Sequence, residues 1–474
     1  MRKRLIVLSA RLAPGLFTAL TTAFLTRLLD PAEYGLYAFG ASITFFIGLA
    51  AFEWLGLSLI RMAPMAKQPE FLFDTIMACF GMLMLFLTIA TAALLTVVGW
   101  LGNYAMFAIA ILVATFASSW FELKIRLQLS ELKERELFVT TVGRSVATAV
   151  FVGAAAALTK NASIMLLATG VAALLVGLLD REPRLGLFNS RFDAGTGRSL
   201  LYFGLPLAVS VGLATALLSI DKWMLQWLLG SHAVGLFAAA TLLGYAPVAA
   251  LASGVGPWAH SMAIRALEFE SSKAADVQLA RNFVVLIGII IPGAAGIAAL
   301  SSNLAHLLVG QAYWESAILL APWLAGTAVL TGIRGFYVDT AFQLAHRTTP
   351  LIWTTLLAVI ANIVLDYYLI PVFGQLGAAI GSLSAVVVSL IAAAVVSRSV
   401  YRLPLPLGEA TKVLACAAIM FVVLYAVRNF SGFAALAWQI PLGMAVYAGC
   451  LFILNVLGVR ERIAPRFLLG ANKV

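Results

Sequence analysis

The run FVVLIGIIIPGAAGIAALSSNLAHLLV, Phe283 to Val309, contains no Lys, Arg, Asp or Glu in 27 residues. A helix needs about 20 apolar residues to cross a hydrocarbon core of about 30 Å, so this stretch predicts a transmembrane helix. Comparable segments stand on both sides of it, at 5–26, 36–60, 75–101, 104–121, 139–158, 162–180, 200–228, 233–258, 317–344, 350–370, 375–397, 412–428 and 433–457. Together they predict an all-α integral membrane protein of about 14 transmembrane helices. The composition agrees: 62% of the residues are hydrophobic and 11% charged, whereas a soluble domain carries about 25% charged residues. A soluble enzyme or a nucleic-acid-binding domain is excluded, and lipid is the main solvent.

The net charge of +10 is distributed as a topology signal. With a cytoplasmic N-terminus, the loops on the inner side hold 24 of the 31 Lys and Arg residues and the outer loops only Arg27, Lys160 and Arg428. Basic residues collect on the cytoplasmic side of short loops, so both termini are expected in the cytoplasm. The opening Met-Arg-Lys-Arg is read as the start of a retained first helix, because Arg11 and Pro14 interrupt the apolar run and no small-residue cleavage site follows. The loops Glu122–Phe138 and Ala259–Arg281 are expected on the inner face. Cys79, Cys416 and Cys450 lie singly in apolar runs, and the four histidines are scattered. No disulfide framework, metal site or cofactor is expected.

An internal repeat runs at an offset of 200 residues. Leu28-Leu29 and Gly35-Leu36-Tyr37-Ala38 match Leu228-Leu229 and Gly235-Leu236-Phe237-Ala238. Six predicted helices separate the copies, so both have one orientation, as in a parallel repeat about the membrane normal. Residues 1–199 (helices 1–6) and 200–400 (helices 7–12) are expected to form two pseudo-symmetric lobes, with 401–474 carrying an appended helix pair and tail.

At these residues the chain resembles a known family. Leu25-Thr-Arg-Leu-Leu-Asp-Pro-Ala-Glu-Tyr-Gly-Leu-Tyr37, Tyr202-Phe-Gly-Leu-Pro-Leu207 followed by Ser219-Ile-Asp-Lys222, and Phe373-Gly-Gln-Leu-Gly-Ala-Ala379 are similar to segments of the bacterial polysaccharide transporter, or oligosaccharide flippase, family. That family belongs to the multidrug/oligosaccharidyl-lipid/polysaccharide (MOP) exporter superfamily. The resemblance implies a protein of the bacterial inner membrane that moves polyisoprenyl-diphosphate-linked oligosaccharide to the outer leaflet by alternating access, beside membrane lipids and glycan polymerase or glycosyltransferase components. It implies no enzymatic activity and no nucleic-acid partner.

Charges within apolar segments supply the candidate site. A charged side chain at the bilayer centre costs at least about 2.5–3.5 kcal/mol, so each must face a wet cavity, pair, or reach the interface. Arg11, Arg144, Glu53, Arg334 and Asp339 fall in the inner halves of their helices, a basic excess at the depth where a lipid diphosphate would enter. Arginine suits phosphate through its planar fork of donors. Arg11, Gly15, Thr18 and Thr22 share one helical face, and Arg144 lies with Thr141 and Thr148. Both arginines line a cavity or snorkel to headgroups. Arg334 and Asp339 are five apart and so not stacked on an α-helix, which requires partners from other helices. Lys222 and Asp221 lie toward the outer end of helix 7. Arg11, Arg144, Arg334 and Lys222 are thus the substrate-contact candidates, and Glu53, Asp221 and Asp339 the ion-coupling or gating candidates. Asp366 is read as interfacial. The GxxxG of Gly377 and Gly381 is read as a close-packing site.

No GxxxxGK[ST] phosphate loop or nucleophile motif occurs. Two alternatives to the flippase remain: a multidrug exporter of the same superfamily, and a non-transporting scaffold of a glycan-synthesis complex.

Overall fold

The structure, a computed structural model, describes residues 2–65, 69–97, 105–179, 192–345, 347 and 349–460, without the side chains of 2–13, 65, 69, 70, 206 and 207. Among the described residues every regular element is helical. The chain divides into two compact units, one ending at Gly235 and the other beginning at Leu236.

The first unit contains α1 (Arg2–Leu28), α2 (Pro31–Ile47), a π-turn at Gly48–Phe52, α3 (Glu53–Met62), α4 (Pro69–Val97), α5 (Ala105–Ser130), α6 (Glu134–Thr159), α7 (Ala162–Leu179), α8 (Ala194–Leu229) and the start of α9 (Ser231–Leu243). The second holds the rest of α9, α10 (Tyr245–Phe269), α11 (Ser272–Leu308), α12 (Trp314–Ile333), a π-turn at Arg334–Val338, α13 (Asp339–Leu344), α14 (Thr349–Phe373), α15 (Gln375–Ser397), α16 (Leu407–Ala426) and α17 (Phe433–Ile453). Among the described residues twelve spans are long and apolar enough to cross a membrane, thirteen with α9 and α10 counted as one span bent by 41°. The remaining expected segment, 5–26, falls on α1, where the side chains of residues 2–13 lie outside the described residues.

Burial separates central from peripheral spans. Half of the most apolar window of α5 is buried but only 11% of that of α4, whose Leu85, Phe86 and Val97 stand exposed. Large apolar side chains on an outer face need lipid around them. Local chemistry sets the helix starts: the Asp30 carboxylate accepts the Glu33 amide at 2.8 Å ahead of Pro31 at the first turn, and Ser271 accepts from the Ala274 amide at 3.1 Å to open α11.

Two expected inner loops are largely helix. α5 continues to Ser130, so Glu122 and Arg126 are helical, and only Glu270 and Ser271 separate α10 from α11. Hydropathy marks where lipid ends; backbone hydrogen bonding carries the helix beyond it. Asp366 also departs from its expectation: it is fully buried in α14, against Gly381 of α15. Gly377 meets the carbonyl of Leu369 in the same pair, so the GxxxG does serve close approach. Helix α17 is tied to α11 by Tyr447, whose hydroxyl donates to the Gly288 carbonyl at 2.9 Å.

The repeat has a physical expression in the first unit. A Cβ on Gly35 would strike the Ser231 carbonyl and lie 2.7 Å from the Gly235 nitrogen. One on Gly235 would strike the Pro31 carbonyl and lie 3.0 Å from the Gly35 nitrogen. Positions 31 and 35 thus meet 231 and 235 reciprocally, each glycine admitting the other helix's backbone.

Candidate functional site

A buried charge stands at each of the two π-turns, Glu53 just after the first and Arg334 at the start of the second. A π-turn takes i→i+5 hydrogen bonds and inserts one residue into the helical register. In an uninterrupted α-helix Glu53 would lie about 140° around from Gly48, at 100° per residue. The extra residue returns it to the face that Thr44 and Gly48 present to α5, where a Cβ on Gly48 would lie 3.4 Å from Ser119 Oγ.

Across from them, α5 carries Thr115, Ser119, Glu122 and Arg126, at offsets of 4, 7 and 11, as one polar stripe. Arg126 Nη2 donates to Glu53 Oε1 at 2.5 Å. Glu53 is 9% exposed and Arg126 26%. Gly56, one turn beyond Glu53, leaves room for the arginine stem: a Cβ there would lie 2.8 Å from Arg126 Cγ. One turn back, Glu122 Oε1 accepts from Arg144 Nη1 of α6 at 2.8 Å, and the Arg144 guanidinium lies over the Phe121 ring at 4.8 Å. Two acids and two bases from three helices therefore alternate in one cluster. Beside it, buried Lys124 donates to the Gly177 carbonyl at 2.6 Å, near the end of α7, and sits 4.7 Å from the Trp120 ring centre. A cation at a helix C-terminus is favourably placed.

In the second unit the expectation that Arg334 and Asp339 cannot stack is corrected. They span the π-turn Arg334–Val338, in which residues five apart share a face, and Arg334 Nε stands 3.9 Å from Asp339 Oδ1. The expected partner from another helix is also present: Arg334 Nη2 donates to Thr355 Oγ1 of α14 at 2.6 Å. Both side chains of the pair are largely buried.

Asp221 is buried and Lys222 half-buried at successive positions of α8, so they point about 100° apart. Arg11 is carried on α1, and its side chain lies outside the described residues. The geometry brings Glu53 and Arg144 into one cluster and joins Arg334 to Asp339. Glu122 and Arg126, the connecting members, stand in α5 and not in the loop expected from residue 122 onward. Their i, i+4 spacing, in phase with Thr115 and Ser119, is the sequence signal that marks them. Among the described residues no three His, Cys, Asp or Glu side chains form a metal-binding group.

Solved structures of similar architecture cover nearly the whole chain. The lipid II flippase MurJ in an inward-closed conformation matches with a TM-score of 0.75 over 97% of this chain and 99% of that one, at 14% identity. An inward-facing multidrug resistance MATE family transporter of the MOP superfamily matches with a TM-score of 0.56, covering 84% of this chain and 98% of that one at 17% identity. An outward-facing MATE transporter gives 0.56, with 83% and 95% coverage at 14% identity. These likenesses define the fold, that of MOP superfamily transporters. No curated protein matches the sequence. Residues 24–318 match the family described as polysaccharide biosynthesis protein, over more than half of the chain, and the chain belongs to that family.

Proposed function

We propose that this protein is a flippase that moves polyisoprenyl-diphosphate-linked oligosaccharide from the cytoplasmic to the outer leaflet of a bacterial inner membrane, with both termini in the cytoplasm. Residues 1–199 and 200–400 act as two lobes alternating in access, and 401–474 is an appendage. Arg11, Arg144, Arg334 and Lys222 serve the diphosphate and sugar, while Glu53, Asp221 and Asp339 serve ion coupling or gating. Glycan polymerase or glycosyltransferase components work beside it.

The observation that carries this reading is the ionic cluster of Glu53, Arg126, Glu122 and Arg144, which joins three helices around the buried Glu53 and opens toward the partly exposed Glu122 and Arg144. A buried ion pair is often no more stabilising than apolar side chains of similar volume, and ionisable groups within membrane helices mark substrate and ion pathways. MurJ-like architecture and membership of a polysaccharide biosynthesis family favour a glycolipid over a drug as cargo.

Deletion of the gene tests it. The lipid-linked oligosaccharide is expected to accumulate in the cytoplasmic leaflet, protected from glycosidase added outside spheroplasts, with drug susceptibility unchanged. Normal outer-leaflet delivery would reject the flippase, and drug sensitivity with normal glycan would favour the multidrug alternative.

A further inference from the structure

The seam between α2–α3 and α5 holds four polar atoms that are sealed from solvent and have no hydrogen-bond partner: Thr44 Oγ1, Thr115 Oγ1, Ser119 Oγ and Arg126 Nε. Thr115 is 1% exposed and Ser119 4%. A helical Ser or Thr ordinarily donates to the carbonyl four residues back, as Thr21, Thr75 and Thr140 do here. Thr44, Thr115 and Ser119 do not. Three of the four atoms belong to the α5 stripe, and Thr44 belongs to the last turn of α2, just before the π-turn. Thr44 is one turn before Gly48, Thr115 one turn before Ser119, and a Cβ on Gly48 would lie 3.4 Å from Ser119 Oγ. Leaving such groups unmatched in hydrocarbon costs several kcal/mol each.

We propose that this seam is a binding site for a short row of ordered water, running from Thr44 and Thr115 past Ser119 to the guanidinium of Arg126. A buried water needs two to four polar partners. The hydroxyls can donate or accept, the guanidinium donates, and the i→i+5 pattern of the π-turn withdraws a backbone carbonyl from its usual i+4 donor. The composition selects water over an ion. A cation would find no free carboxylate and would face the Arg126 charge, and an anion would face Glu53 and Glu122. The row gives Arg126 the bond that the protein withholds, so the Glu53 pair can loosen without stranding either charge. Nothing in this site requires the transported molecule to be a glycolipid.

X-ray radiolytic labelling of the full chain in lipid nanodiscs reads such water directly, because radicals formed in place modify neighbouring side chains that bulk solvent cannot reach. Phe52, 2% exposed in the π-turn, and Phe116, half-buried next to Thr115, are expected to be modified several-fold faster than Phe342, a fully buried ring of the second unit. In the Thr115→Val/Ser119→Ala variant their rates should fall about threefold as bridging water is lost, while Thr115→Ser keeps them. Wild-type Phe52 and Phe116 reacting no faster than Phe342 would overturn the proposal even if the variant did not fold. Loss of labelling on replacing sodium and potassium by N-methylglucamine would overturn it in favour of a cation. Retention in that buffer is the expected result.

Discussion

Replacing Arg126 with methionine keeps most of the side-chain volume and removes the charge that holds Glu53. The carboxylate, 9% exposed and bonded at 2.5 Å, is then left buried without a counter-charge. Stranding one member of a buried ion pair costs about 3–5 kcal/mol; Arg126 is about a quarter exposed, and screening brings the expected loss to about 2–3 kcal/mol. Glu53→Gln strands the arginine instead, but Glu122 stands one turn away, so its loss should be smaller, about 1–2 kcal/mol. The double variant Glu53→Gln/Arg126→Met leaves no unpaired buried charge and is expected within about 1 kcal/mol of wild type. Unfolding of the purified protein in mixed micelles, followed by tryptophan fluorescence against denaturant, measures all four corners of the cycle. Losses that simply add in the double variant would refute the coupling and, with it, the pairing inferred from the π-turn.

Deleting Ala50 removes the extra residue of the first π-turn, turns Glu53 about 100° away from α5, and is expected to destabilise the protein as much as Arg126→Met without preventing membrane insertion; fractionation and the same unfolding assay check both. Gly35→Ala and Gly235→Ala each force a methyl into a facing backbone and should cost about 1–3 kcal/mol, with the double variant less than additive, since the first substitution already separates the two turns. Arg11→Ala is expected to lower export more than Arg11→Lys, measured as surface glycan in a complemented deletion strain. Equal loss from both would indicate bidentate contact with phosphate, and no loss from either would leave Arg11 as a headgroup anchor.

The spans were legible in the sequence because lipid demands length and apolarity, and both survive without any knowledge of packing. The 200-residue repeat was legible for a related reason: its glycines are forced by backbone contact at Gly35 and Gly235, which no other side chain permits. The charge pairs were harder to read. Judging Arg334 and Asp339 by the α-helical period placed them on different faces, because a π-turn leaves no plain mark in composition. Ending the fourth apolar segment at residue 121 put Glu122 and Arg126 in a loop, since hydropathy falls as soon as a helix becomes amphipathic. Asp366 was judged by depth alone, whereas the side it presents to α15 decides its burial. Where a charge lies along a span can be counted, but which neighbour it meets is set by packing.

The most direct measurement is leaflet exchange by the purified protein. In proteoliposomes of defined orientation loaded with a polyisoprenyl-diphosphate oligosaccharide, the glycan should become accessible to external glycosidase at a rate proportional to protein, and Arg144→Ala/Arg334→Ala should slow it. Exchange no faster than in protein-free liposomes, under every ion gradient and membrane potential imposed, would contradict the flippase reading.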